Sequence, residues 1–302
     1  MPEQTVAFIG LGNMGGPMAA NLVKAGYSVT GFDPAETARA TAVENGITPA
    51  GSAPDAVGAA DIVFTMLPSA PYVMEVWQDI VPAARPGTLI ADCSTIDVAT
   101  ARDIHALAEA NGLRSVDAPV SGGVGGAKSG SLTFMLGGAE EAMAAVEPLL
   151  AAMGRKTVRC GTAGAGQAAK ICNNMILGVS MIAVSEAFVL AEKLGLSHEA
   201  FFNVASTSSG QCWSLTTYCP VPGLVPTSPA NNDYRPGAPA SMLVKDLRLS
   251  QAEATRANAA TPLGAHATQL YEAFASAGHA DEDFSAIVRY LRTLSADGQS
   301  NP

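Results

Sequence analysis

Apolar positions in the first half of the chain gather into short, nearly unbroken runs: "TVAFIG" (5–10), "YSVTGFD" (27–33), "ADIVFTML" (60–67), "PGTLIADCS" (86–94) and "RSVDAPV" (114–120). Strands that are apolar without alternation are buried on both faces, as in parallel sheets. Between them, "MGGPMAANLVKAG" (closed by Gly26), "AETARATAVENG" and "VATARDIHALAEANG" carry helical spacing. "SLTFMLGG", "AEEAMAAVEPLLAAMG" and "KTVRCG" continue the alternation to about residue 160. The pattern predicts an α/β domain with a doubly wound, mostly parallel sheet.

After "GTAGAG" (161–166) the strands stop. A helix of close to 30 residues is expected from residue 166, followed by helices over "SMLVKDLRLSQAEATRAN" and "PLGAHATQLYEAFASAG". The stretch from Cys219 to Pro239 is rich in Pro, Ser, Asn and Gly and reads as an ordered loop or a lid. Two domains are therefore expected: residues 1–163, and an all-helical domain over 164–302 that opens with a long helix joining the two.

Composition narrows the classes. With 48% hydrophobic and 15% charged residues among 302, the chain is a globular protein. A net charge of −10, with no Lys/Arg-rich run, disfavours nucleic acid and anionic membranes as partners. Cys93, Cys160, Cys172, Cys212 and Cys219 are scattered and form no C-x-x-C pair, which suits a reducing compartment and supplies no metal site. The N-terminus carries no signal-peptide pattern, and the longest apolar run, around residues 175–185, falls short of a membrane span. A cytoplasmic protein that binds no metal is expected.

Gly10, Gly12 and Gly15 form G-x-G-x-x-G between the first strand and the first helix. The first glycine allows the turn, the second lets backbone approach a pyrophosphate, and the third lets helix and strand pack closely. The helix N-terminus then offers free N–H groups to the phosphates. Asp33, ending the second strand, is placed to accept hydrogen bonds from the ribose hydroxyls and to repel a 2′-phosphate. An Asp before Pro34 also suits a turn. No arginine follows at once, the nearest being Arg39, so NAD is expected over NADP. These features predict a Rossmann domain.

A second glycine-rich stretch, "DAPVSGGVGGAKSGSLTFMLGG" (117–138), follows a strand end. It is no P-loop, because Ala127 stands where that motif needs glycine. Ser121 with the amides of Gly122 and Gly123 reads either as a nest for a carboxylate or as a plain crossover loop.

A dehydrogenase also needs a group to move a proton. His105, His198, His266 and His279 have no motif around them. Lys170, in "GQAAKICNNM", lies in a run with no other charge until Glu186. On a helix, Gln167, Lys170 and Asn174 fall within about 60° of one another, a narrow polar stripe on an apolar rod. Burial lowers a lysine pKa, so such an amine can accept a hydroxyl proton near neutral pH.

Together "FIGLGNMGGPMAANL", "DAPVSGGVGGAKSGSLTFMLGG", "GQAAKICNNM" and "LVKDLRLSQA" resemble the β-hydroxyacid dehydrogenase family, in order and over nearly the whole chain. The resemblance implies an NAD-binding Rossmann domain and a helical domain for substrate contact and oligomerisation. It implies Lys170 as catalytic acid/base with Asn174 positioning it and the substrate, and Ser121, Gly122 and Gly123 as the carboxylate site. Cofactor contacts fall on Gly10, Leu11, Gly12, Asn13, Met14, Gly15, Asp33 and Pro34, and on Met66, Leu67, Pro68 and Thr95. Lys245, beside Asp246, would serve both nicotinamide and substrate. A homodimer or homotetramer is implied.

The implied reaction is NAD-dependent oxidation of 3-hydroxyisobutyrate to methylmalonate semialdehyde, a step of valine breakdown. The sequence adds its own support in "SSGQCWSLTTYCPVPG" (208–223), where Trp213, Tyr218 and prolines offer an apolar wall for a methyl group. No acidic residue between Glu199 and Asp233 would pair with the ammonium of serine. The alternatives are a sibling acting on L-serine or tartronate semialdehyde, and a catalytically silent dinucleotide-binding scaffold.

Overall fold

A computed structural model describes residues 4–297. In chain order the first part runs β1 (Thr5–Ile9), α1 (Gly15–Lys24), β2 (Ser28–Phe32), α2 (Glu36–Glu44), β3 (Thr48–Pro49), α3 (Ala53–Val57), β4 (Ile62–Thr65) and α4 (Ala70–Ile80). It continues through β5 (Leu89–Asp92), α5 (Val98–Ala110), β6 (Arg114–Asp117), β7 (Val120–Ser121), α6 (Gly123–Ser129), β8 (Leu132–Gly138), α7 (Glu140–Met153) and β9 (Gly154–Gly161). Then come only helices: α8 (Ala165–Lys193), α9 (His198–Ala205), α10 (Trp213–Thr216), α11 (Ala240–Arg256), α12 (Pro262–Phe274) and α13 (Ile287–Asp297). No strand follows Gly161 among the described residues. By internal packing the chain divides into two compact units, Met1–Lys170 and Ile171–Pro302.

The strands of the first unit lie in the order β3-β2-β1-β4-β5-β6-β8-β7, with β9 beside β8. Pairing is parallel from β3 to β6 and antiparallel where β8 meets β6 and β7. Alternate side chains of β1 serve opposite faces. Val6 and Phe8 join one core with Met18 and Leu22 of α1 and with Val146 and Leu150 of α7. Ala7 and Ile9 join the other, with Val57 of α3, Trp77 and Ile80 of α4, and Ile104 of α5. Helices on both faces explain why these strands read as continuous apolar runs. Strand order reverses between β1 and β4, which opens a crevice at their carboxyl ends.

Three helices depart from the sequence reading. The stretch after Ser121 is a helix, α6, rather than an open loop, although four of its first five positions are Gly or Val. Tertiary packing outweighs glycine's low propensity: Ala127 is fully buried, and Asn21 of α1 donates its Nδ2 to the Ala127 carbonyl at 2.7 Å. The helices α3 and α4 were not anticipated, though Val73, Trp77 and Ile80 fall on one buried face of α4.

In the second unit, Met181 and Phe188 of α8 pack with Leu243 and Leu247 of α11, Tyr271 and Phe274 of α12, and Ile287 and Val288 of α13. By length and composition α8 is long and apolar enough to cross a membrane, although the uninterrupted apolar run within it falls short of a span. Half of its most apolar window is buried inside the protein. The segment from Cys219 to Pro239 is an ordered loop. Ser228 donates its hydroxyl to the Cys219 carbonyl, Tyr234 to that of Pro220, and the Asn231 amide bridges Gly223 and Val225.

Candidate active site

The glycine turn sits at the crevice. Gly10 has φ +91° and its amide donates to Phe32 O at 2.9 Å. A side chain there would collide with Met66 O of the loop after β4, and one at Gly15 would collide with Gly10 O. Gly12 differs, because a Cβ there would meet nothing within 4 Å. Packing does not require glycine at that position, whereas close approach of a ligand to the backbone does. The first turn of α1 holds no acidic residue and no side-chain cap at Met14; Gly16 donates its amide to Gly12 O and Pro17 has none, which leaves the amide of Gly15 for an anion. A cavity of about 610 Å³ is lined by Leu11, Gly12 and Asn13 and also by Thr37, Thr41 and Lys128. These residues fit a dinucleotide pyrophosphate.

Asp33 makes the turn expected of an Asp before Pro34, and it also holds the glycine loop. One carboxylate oxygen accepts the amide of Ala35 and makes the turn; the other accepts the amide of Leu11, each at 2.8 Å, and ties the glycine loop to β2. Arg39 donates to the backbone carbonyls of Asp33 and Pro34, so its guanidinium sits on this turn.

The next two strand ends are joined by a buried polar chain. Asp92 Oδ1 accepts the hydroxyls of Thr65 (2.7 Å) and Ser94 (2.6 Å), and Ser94 Oγ accepts the amide of Leu67 at 2.8 Å. Trp77 Nε1 donates to Thr65 Oγ1. Asp92 is fully buried and its Oδ2 has no partner. Burial pushes its carboxyl up to about 6, against the lowering effect of Ser94 and Thr65. This chain fixes the loop Met66, Leu67, Pro68 and the turn carrying Thr95.

Ser121 ends β7, opposite Thr133 of β8, and Gly122 and Gly123 open α6. Both glycines have positive φ, +134° and +59°, which L side chains adopt only under strain. Successive amides in such conformations make a concave donor pair.

Lys170 is 9% exposed, within the second turn of α8. The turn before it is gripped by Asp117, whose Oδ1 accepts the amide of Gly164 (2.8 Å) and whose Oδ2 accepts that of Gln167 (3.0 Å). His105 completes this arrangement, with Nε2 3.0 Å from Asp117 Oδ1 and Nδ1 2.7 Å from Ser115 Oγ. It is a satisfied structural histidine, as its lack of a motif suggested.

In the second unit Asn174, one turn further along α8 and 4% exposed, donates Nδ2 to Asp246 Oδ2 at 2.6 Å and accepts from Asn173. Lys245 Nζ lies 3.6 Å from Asp246 Oδ1, an ion pair beyond hydrogen-bond reach. Asp246 therefore orients Asn174, a role that no local signal betrayed. Trp213 is half exposed and stacked on Tyr218 at 4.9 Å, which is stacked in turn on Phe284 at 5.0 Å. Tyr218 donates to buried Asp283 at 2.8 Å; burial, then that carboxylate, push its hydroxyl far above the ordinary tyrosine range.

A glycine turn at the switch point of a doubly wound sheet, closed by a carboxylate on the neighbouring strand, defines a dinucleotide-binding domain of the Rossmann class. Comparison with known proteins carries this further. Residues 5–162 match the family model described as the NAD binding domain of 6-phosphogluconate dehydrogenase. Residues 164–291 match that described as NAD-binding of NADP-dependent 3-hydroxyisobutyrate dehydrogenase. A probable 3-hydroxyisobutyrate dehydrogenase of Mycobacterium tuberculosis is 54% identical, over 95% of this chain and 98% of its own. An NAD-dependent L-serine dehydrogenase of Pseudomonas aeruginosa is 45% identical, over 94% and 96%. The solved structure of the M. tuberculosis 3-hydroxyisobutyrate dehydrogenase with L-serine superimposes with a TM-score of 0.93, covering 96% of this chain and 99% of that one. The chain belongs to the β-hydroxyacid dehydrogenase family. It is an NAD-dependent β-hydroxyacid dehydrogenase.

Asp92 yields a prediction about stability. Because folding raises its pKa, its contribution is fully present below the ordinary carboxylate value and is lost as pH rises through about 6. Asp92→Asn removes that dependence and keeps an oxygen for Thr65 and Ser94. Relative to wild type, the variant should gain ~3 kcal/mol as pH rises from about 4 to about 7. Denaturant unfolding across that range is the check, and a constant difference between the two proteins contradicts the assignment.

Proposed function

We propose that this enzyme oxidises 3-hydroxyisobutyrate to methylmalonate semialdehyde with NAD, a step of valine breakdown. The observation that carries the chemistry is a buried lysine, Lys170, one helical turn from a buried asparagine whose amide is held by Asp246. The choice of substrate draws support from the names of relatives up to 54% identical over nearly the whole chain.

Residues 1–163 act as the dinucleotide domain and 164–302 as the substrate and self-association domain. Gly10, Leu11, Gly12, Asn13, Met14 and Gly15 hold the pyrophosphate, Asp33 and Pro34 the adenosine ribose, and Met66, Leu67, Pro68, Thr95 and Lys245 the remainder. When bound, NAD supplies the hydride acceptor. Ser121, Gly122 and Gly123 take the substrate carboxylate. Lys170 Nζ takes the hydroxyl proton as the carbon loses hydride; this requires the neutral amine. Asn174 orients the hydroxyl oxygen, and Trp213 forms the wall against the methyl group. Ile176 and Leu190 of α8, and Leu194 just after it, are 65%, 60% and 76% exposed, which supports association into a homodimer or homotetramer. Five free cysteines support a reducing, cytoplasmic location.

A second reading, oxidation of L-serine, is favoured by the P. aeruginosa relative and by the L-serine in the M. tuberculosis structure. Against it stands the absence of an acidic residue between Glu199 and Asp233. A methyl in an apolar pocket is worth only about 1–3 kcal/mol, so some turnover of serine is expected. The test is kcat/KM for 3-hydroxyisobutyrate, L-serine and glycerate in wild type and in Trp213→Ala. The substrate assignment fails if serine or glycerate leads in the wild type. Trp213 is only structural if the variant keeps the wild-type ranking and magnitudes.

NAD should be preferred over NADP, since Asp33 repels a 2′-phosphate. In Asp33→Ser that repulsion is gone while Arg39 remains beside the ribose end, so the ratio of kcat/KM values should narrow by at least ~10-fold, the loss of about one unit-charge repulsion near a surface. Equal kcat/KM for both cofactors in the wild type would refute the argument.

A further inference from the structure

The side chain of Gln167 has a place that neither the phosphate loop nor the proton-transfer residues explain. It is fully buried. Its Nε2 donates to the carbonyl of Ser94 at 2.7 Å, and its Oε1 accepts the amide of Ile96 at 3.2 Å. One amide group thus pairs with the peptide groups on both sides of Thr95, as a neighbouring strand would. Ser94 and Ile96 are themselves fully buried, so an unpaired carbonyl or amide there would be costly. The backbone of Gln167 is held separately by Asp117. Lys170 follows three residues later, about 4.5 Å along the helix axis and about 60° around it.

We propose that Gln167 is a positioning residue for hydride and proton transfer: its side chain couples the turn carrying Thr95 to the helical turn carrying Lys170. The inference rests on the roles proposed above for those two residues. Two transfers in one step require their acceptors to keep a set separation, and a displacement of 1 Å can cost about 10²-fold in rate. A covalently continuous helix from Gln167 to Lys170, with both peptide groups around Thr95 clamped to Gln167, supplies that constraint. The phosphate loop is held independently by Asp33 and by packing at Gly10 and Gly15, so loss of the clamp should leave dinucleotide affinity nearly intact.

The experiment uses Gln167→Met, which keeps length and loses both hydrogen bonds, and Gln167→Glu, which keeps the acceptor for Ile96 and sets an oxygen against the Ser94 carbonyl. Measured are kcat, the NAD dissociation constant, and the isotope effect on kcat with substrate deuterated at the hydroxyl-bearing carbon. Expected are a fall in kcat of ~10- to ~10²-fold, an NAD dissociation constant within about threefold of wild type, and a larger isotope effect, because hydride transfer becomes the slow step. A variant that merely folds less well loses kcat without a change in isotope effect, and that result overturns the proposal. So does a kcat within about threefold of wild type in both variants. Should Gln167→Met fail to fold, Gln167→Glu carries the same three readouts. Lys170→Ala, assayed alongside, tests the proton-transfer role by itself: turnover retained there defeats that role, whatever the Gln167 isotope effects are.

Discussion

The carboxylate of Asp117 is the constraint from which the site is built. It ends β6, fully buried, and accepts two backbone amides from the start of α8 and one ring nitrogen from His105. A helix N-terminus carries a partial positive charge and orphan N–H groups, so an anion there gains both hydrogen bonds and the dipole. The approach is so close that side chains are excluded around it. A Cβ at Gly137 would lie 2.5 Å from Asp117 Oδ1, and one at Gly166 2.7 Å from Oδ2. Gly137 is therefore fixed by this carboxylate and Gly166 by it together with Met135 O, which a Cβ there would meet at 2.3 Å, and Lys170 stands where it does because the helix starts where it does.

The same economy governs the other strand ends. Asp92, Thr65 and Ser94 form a dry chain that reaches the amide of Leu67, and Gln167 closes onto the turn immediately after it. Buried polar groups in a low dielectric are costly when unpaired and strong when paired. Such chains make the carboxyl ends of β4, β5 and β6 one rigid ledge. The unpaired Oδ2 of Asp92 is the point at which satisfaction is incomplete, and the burial of this carboxyl is what raises its pKa.

The sheet was legible because both its faces are buried, which makes each strand an unbroken apolar run, and the phosphate turn because Gly10 and Gly15 meet close backbone contacts while Gly12 leaves the backbone open. Lys170 was legible as the one charged residue in an apolar stretch of sequence that runs on to Glu186. What escaped reading was set by partners far along the chain. Asp246 looked like a neighbour of Lys245, yet its work is on Asn174, 72 residues away. Gln167 looked like part of a polar stripe, yet it binds a turn 73 residues earlier. The helix α6 was hidden by its own glycines, which local propensity assigns to a loop and which Asn21 and the burial of Ala127 hold in a helix.

The central claim is that the Lys170 amine itself moves the proton, and chemical rescue tests it most directly. In Lys170→Ala, NAD binding should persist while turnover falls by about 10²- to 10⁴-fold, the span of a general acid–base contribution. Added small primary amines should then restore rate in proportion to their concentration, and more so as their basicity rises. A variant that keeps more than about a tenth of the wild-type kcat, indifferent to added amine, would contradict the account.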